Sequence, residues 1–193
     1  MKRGVAPIDH ESMCVVAEGA KGAMQTSNSS MLPVASVVGR SNTGKTTLLE
    51  GLLPALKEAG LRVAVVKHHH HTSSFDTPGK DTFRLAEAGA DLVVGVSPVQ
   101  VATFSRETRS DDLDSVIAQH CVGCDLVLTE GYKRGDYPKI EVHRAELGNE
   151  LLCDFGEMLA LVTDIRWDAD VPQFSLDDPV DLAAFLAAWL KSD

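Results

Sequence analysis

The stretch "VVGRSNTGKTTLLE", Val37–Glu50, decides the fold. Its centre, Gly39–Thr47, matches G-x-x-x-x-G-K-[ST] in full, between a strand-like run and a helical one, which is the context the motif requires. The run before it, "LPVASVVG", is apolar and β-branched, as expected of a strand buried on both faces. The run after it, "TTLLEGLLPALKEAG", carries Leu48, Leu49, Leu52, Leu53 and Leu56 at helical spacing and ends at Gly60, with Pro54 predicting a kink. Glycines at 39 and 44 permit a tight loop whose N–H groups turn inward around an anion, and the helix dipole adds its positive end there. Gly39, Arg40, Ser41, Asn42, Thr43, Gly44, Lys45, Thr46 and Thr47 are therefore the expected phosphate cradle. Lys45 is expected on the β- and γ-phosphates and the Thr46 hydroxyl on Mg²⁺.

Outward from this loop the chain alternates. "LRVAVVK" completes a strand–helix–strand unit, which implies parallel pairing and a right-handed crossover. "DTFRLAEAG" reads as a short helix, and "DLVVGVS" and "VQVATFS" as strands meeting at Ser97-Pro98 in a hairpin or a bend. "SDDLDSVIAQH" has an acidic cap and a helical pattern; "DLVLTE", "KIEVHR" and "EMLALVTD" read as strands. "DDPVDLAAFLAAWLK" places Leu182, Phe185, Leu186, Trp189 and Leu190 at the spacing of a core-facing helix. The predicted class is α/β, a P-loop NTPase-like three-layer fold with a mainly parallel sheet and helices on both faces. Residues 1–30, small and polar, are expected to form a flexible N-terminal arm, and residues 31–193 the nucleotide-binding domain; Met31 is a possible alternative start.

Composition narrows the function classes. A chain of 193 residues, 44% hydrophobic, supports one ordinary core. A net charge of −10 argues against nucleic acid as partner, although backbone N–H groups can still hold a phosphate locally. No apolar run approaches the roughly 18 residues a membrane-spanning helix needs. Four cysteines do not make a dense disulfide framework, so the expected compartment is cytoplasmic.

Ligands of such sheets sit at the carboxyl ends of the strands. Glu130, with Gly131 after it, ends "DLVLTE" and is the candidate acid for the Mg²⁺ shell or a catalytic water. Asp164 ends "LVTD"; it either reads guanine through N1–H and N2–H₂ together or caps the following turn. In "VVKHHHHTSSFDTPGKDT", Val65–Thr82, Asp76 and Asp81 are candidates for Mg²⁺ or water positioning, on either side of a Pro78-Gly79 turn. Lys67, Lys80, Lys133 and Lys139 either contact an anionic group or are solvated surface charges. Alternate faces of an extended chain keep His68–His71 from all binding one metal; they are expected to line a phosphate- or pterin-facing pocket. "HCVGC", His120–Cys124, is either a second ligand cluster or an inert dithiol at a helix–strand junction. Arg40 and Arg84 read as solvated side chains rather than arginines poised for hydrolysis.

Four blocks together resemble the MobB family of molybdopterin-guanine dinucleotide biosynthesis adapter proteins: "GRSNTGKTTLLEGLLPALKEAG", "VVKHHHH…FDTPGKDTFRLAEAGAD", "DLVLTEGYKRGDYPKIEVHR" and "ALVTD". The resemblance spans about residues 32–165 and departs at the unbroken histidine run and the N-terminal arm. It implies a homodimeric protein that binds GTP and Mg²⁺ and has at most weak GTPase activity. It implies work beside the guanylyltransferase MobA as molybdopterin becomes its guanine dinucleotide. GTP would then serve mainly as a conformational ligand that orders the Lys67–Asp81 segment. Two alternatives stand beside it, a nickel-type metallochaperone GTPase using the His run and C-x-x-C, and an ATP-dependent small-molecule kinase.

Overall fold

The apolar run before the loop forms strand β1 (Val34–Val38), buried at every position, and the run after it forms helix α1 (Lys45–Glu58). A computed structural model describes residues 32–68, 74–105, 112–133 and 135–192; the expected N-terminal arm and Met31 lie outside the described residues. Helix α1 continues through Pro54 and buries Leu48, Leu49, Leu52 and Leu56 along one face. Strand β2 (Val63–Lys67) is parallel to β1 but not its neighbour, because β5 (Leu126–Glu130) lies between them. On the other side of β1 come β6 (Lys139–His143), β7 (Met158–Thr163) and β8 (Gln173–Ser175). The six-stranded sheet has the order β2-β5-β1-β6-β7-β8 and is parallel throughout. Its carboxyl ends therefore share one edge, the edge from which the loop after β1 emerges. Strand β8 escapes a pattern reading, since three residues are too short to show a period.

The two faces of the sheet differ in chemistry. One carries Ala35, Val37, Leu126, Leu128, Ile140, Val142, Ala160 and Val162, covered by α1 and by helix α4 (Pro179–Trp189). On the other face Val34 and Val127 pack under helix α3 (Leu113–His120), through Leu113, Ile117 and Cys121. That second face also holds the buried polar side chains Ser36, Thr129, Glu141, His143 and Thr163. Each has a partner, as burial requires. Thr129 donates to Ser36 Oγ at 3.0 Å. Glu141 accepts the N–H groups of Leu152 and Cys153 at 2.7 and 2.9 Å, and His143 Nε2 donates to Gly148 O at 2.8 Å. A returning segment, residues 144–157, thus covers the sheet beyond β6 where a crossover helix would ordinarily lie.

Strands β3 (Leu92–Val96) and β4 (Val101–Ser105) pair antiparallel in a separate two-stranded sheet, closed by Ser97 N–H to Gln100 O at 2.8 Å. The hairpin alternative for this region is the correct one. Helix α2 (Asp81–Glu87) packs on the side of Val93, while Leu92, Val94, Val96 and Val101 on the other side are 50–77% exposed. Among the described residues no helix is long and apolar enough to cross a membrane.

Leu52 is fully buried between sheet and helices, whereas Val99 in the hairpin turn is 93% exposed. Leu52→Ala is expected to cost about 2–5 kcal/mol and Val99→Ala under about 0.5 kcal/mol, read from urea midpoints.

Candidate phosphate-binding site

The loop takes its shape from three positive-φ residues, Gly39 (151°), Asn42 (66°) and Gly44 (94°). At Gly39 the reason is also contact: a Cβ there would stand 2.5 Å from Val142 O and 2.8 Å from Thr43 Oγ1. The loop therefore lies flush against the end of β6. Thr43, buried in the loop, donates its hydroxyl to Arg40 O at 3.0 Å. Lys45 folds back across the loop and donates to Gly39 O at 3.2 Å and Arg40 O at 2.7 Å. Burial holds the Lys45 amine below its ordinary range; Glu130 works against this, and the amines of Lys133 and Lys67 add to it.

Two arginines lock the loop to the segment after β6. Arg40 reaches out to Leu147 O at 3.3 Å and to Glu150 at 2.9 Å. Arg144 reaches in, its Nε donating to Thr43 O at 3.1 Å. Arg40 is thus tied to its neighbours rather than solvated, while Arg84 pairs on the surface with Asp81 at 3.5 Å. Arg144 escaped the reading of the sequence, although it follows a predicted strand end at the same sheet edge as Glu130 and Asp164. Applying the strand-end rule to "KIEVHR" finds it.

Glu130 gathers the chemistry. Its Oε1 accepts the Thr46 hydroxyl at 3.0 Å, and its Oε2 pairs with the Lys67 amine at 3.2 Å. Its backbone carbonyl accepts the His68 N–H at 2.9 Å, and a Cβ on Gly131 would come within 3.0 Å of His68 O. The Thr46 hydroxyl and Glu130 carboxylate are hard oxygen donors side by side, which suits Mg²⁺. The sequence-derived residues Gly39–Thr47, Glu130, Gly131, Lys67 and His68 therefore converge at one edge of the sheet, with Lys133 near enough to act on the Lys45 charge.

The other candidates lie in different surroundings. Asp76 Oδ1 takes the Thr77 N–H at 2.8 Å, and Asp76 lines a cavity of about 480 Å³ with Phe83 and Phe104. Lys80 and Asp81 open α2, with Asp81 turned to Arg84. Lys139 is buried at the start of β6 and pairs with Glu157 at 3.1 Å, level with Ser36 in β1 and so below the phosphate edge. Asp164, at the end of β7, accepts the Ala145 N–H through Oδ1 at 2.9 Å. Beside it opens a cleft of about 360 Å³ lined by Thr163, Ile165, Arg166, Phe174 and Asp177.

His69–His71 lie outside the described residues, and among the described residues no group of three or more His, Cys, Asp or Glu could hold a metal ion. Cys121 is buried at the end of α3, where its carbonyl accepts the Cys124 N–H at 3.2 Å; this is the helix–strand junction of the inert reading.

Residues 34–164 match the family model "MobB: Molybdopterin guanine dinucleotide synthesis protein B". The "Molybdopterin-guanine dinucleotide biosynthesis adapter protein" of Escherichia coli (strain K12) is 33% identical over 167 residues, 83% of this chain and 95% of that one. The protein of the same description from Haemophilus influenzae is 34% identical over 160 residues, covering 82% and 90%. Among solved structures, a molybdopterin-guanine biosynthesis protein B matches with TM-score 0.63 and 32% identity over 82% of this chain and 99% of that one. Bacillus subtilis MobB matches with TM-score 0.65 and 29% identity over 83% and 99%.

Behind the site, burial and then the Glu141 carboxylate push the Cys153 thiol from 9.0 up to about 12. Burial and the hydrogen bond to Asp114 push the Tyr137 phenol from 10.0 up to about 12. The folded chain holds both protons at a pH where the unfolded chain has released them, so unfolding gains as pH rises. Stability is expected to be undiminished by these groups below pH 9 and to fall from there towards pH 12. Urea midpoints should show it, with a shallower decline in Cys153→Ala.

Proposed function

The chain belongs to the MobB family of molybdopterin guanine dinucleotide synthesis proteins, and on that premise we propose that it is a GTP-binding adapter assisting the conversion of molybdopterin to its guanine dinucleotide. The observation that carries the nucleotide reading is the Thr46–Glu130 hydrogen bond of 3.0 Å beneath an anion-shaped loop. In this reading the loop N–H groups and Lys45 hold the β- and γ-phosphates, and Thr46 and Glu130 hold Mg²⁺. The bound cation would neutralise charge on the phosphates. Lys67, Lys133, His68 and Gly131 complete the anion-facing rim, and Lys80, at the start of α2, would join it only if the 74–81 segment moves. Asp76 and Asp81 would join the Mg²⁺ shell or position water only if the 74–81 segment moves, since Asp76 Oδ1 and Asp81 are engaged locally.

Asp164 supports guanine through the same logic of convergent acceptors. Its Oδ1 is steadied by Ala145, and the cleft beside it lies at the strand ends where a base stacks. A carboxylate accepts from N1–H and N2–H₂ of guanine, a pattern adenine lacks. Slow hydrolysis fits the same site, because Arg40 and Arg144 are spent on bracing the loop.

The named relatives favour this reading over a nickel chaperone and over a small-molecule kinase. The proposed setting is cytoplasmic, with MobA and molybdopterin as working partners. A homodimer is supported by the β3–β4 hairpin, whose outer face exposes Leu92, Val94, Val96 and Val101. A two-stranded sheet with an uncovered apolar face is marginal alone and gains by covering it.

Calorimetry with Mg²⁺ tests the first proposal: GTP should bind in preference to ATP, and Lys45→Ala should weaken GTP binding roughly 10- to 150-fold, the worth of a charge-assisted hydrogen bond. Preference for ATP, or binding untouched by the substitution, defeats it. Light scattering tests the second: wild type should run as a dimer and Val94→Glu as a monomer.

A further inference from the structure

Glu130 is nearly enclosed, its side chain 12% exposed, and a carboxylate so placed is costly without a partner. Oε1 is committed to the Thr46 hydroxyl at 3.0 Å. Oε2 faces Lys67 at 3.2 Å, from a side chain that is 43% exposed and free to swing outward. We propose that Lys67 is the internal counter-ion of Glu130, and that a divalent cation and the Lys67 amine are alternative partners for Oε2. This rests on the Mg²⁺–nucleotide reading of the site.

The strand geometry allows the exchange. Lys67 and Glu130 are register partners in β2 and β5, and the His68 N–H holds Glu130 O at 2.9 Å. The backbones stay joined while the amine leaves. A cation arriving at Thr46 sets two positive charges beside the Lys67 ammonium, and repulsion favours its departure. The incoming phosphates offer the amine a new acceptor. Lys45 and Lys133 share the same field, so three amines face one carboxylate until the anion arrives. Lys67 is therefore a positioning residue: it holds Glu130 aimed at Thr46, and it sets how much Mg²⁺ is needed to load the site.

The test uses the full chain, a β,γ-imido analogue of GTP and a Mg²⁺ titration that reads the cation midpoint for nucleotide binding. Lys67→Met, which keeps length without charge, is expected to lower that midpoint about two- to fivefold, the range of a half-exposed ion pair. Lys67→Arg, which keeps the competitor, should leave it at or above the wild-type value. A lysine that merely steadied the strand end would move the urea midpoint and not the cation midpoint. A midpoint unmoved or raised in Lys67→Met, with wild type binding normally, overturns this inference alone. A wild type that binds the analogue without regard to Mg²⁺, or not at all, overturns the nucleotide reading and this inference with it.

Discussion

The carbonyl of Val142 would stand 2.5 Å from any Cβ at position 39, and the rest of the site follows from that contact. Because the loop runs flush over β6, the residue after β6 lies beside the loop. Arg144 then finds Thr43 O at 3.1 Å, and Arg40 finds the returning segment at Leu147 and Glu150. A side chain at 39 would lift the loop away from all of these partners. The glycine is required twice over, by a φ of 151° and by the absence of space. A loop that must present inward N–H groups to an anion gains from being held from outside, since ordering it at the moment of binding would cost entropy.

Charge is arranged on the same principle at shorter range. A protein of net charge −10 can hold phosphates only if its positive groups are local and its nearby carboxylates are answered. Glu130 is answered by Thr46 and Lys67, Glu150 by Arg40, and Glu157 by Lys139. The amine of Lys45, lowered by its own burial, sits over the loop with Lys67 and Lys133 in reach. At the strand ends Glu130 and Asp164 have specific donors for their oxygens.

Much of this was legible beforehand, and the reasons are physical. The loop motif carries its own context, so β1, α1 and the sheet edge could be read from one stretch. Buried parallel strands are near-continuous apolar runs, and β5 and β7 showed as such, whereas β6 showed as an alternation of polar and apolar residues. Strand order was hidden, since nothing in "LRVAVVK" says that β5 will part it from β1. The surface reading of Arg40 failed because its partners, Leu147 and Glu150, are more than a hundred residues away. Lys139, weighed as an anion contact, is buried and paired with the half-exposed Glu157 because β6 enters the sheet at that residue. Arg144 went unseen because a charged residue after a strand resembles any other boundary.

The polar second face of the sheet explains a feature that pattern reading would count as an error. Lys139, Glu141 and His143 alternate with Ile140 and Val142 in β6, yet all three are buried. A helix crossing there would offer no backbone groups, because its own N–H and C=O groups are paired internally. An irregular segment has such groups to spare, and Glu141 accepts the N–H groups of Leu152 and Cys153 while His143 Nε2 donates a hydrogen bond to Gly148 O. Glu141 and His143 thus satisfy a returning chain that would otherwise bury unpaired groups. That chain carries Leu147 and Glu150, the partners of Arg40. Polar residues inside β6 therefore hold the segment that in turn holds the phosphate loop. An apolar replacement at 141 or 143 would disturb the loop without touching it.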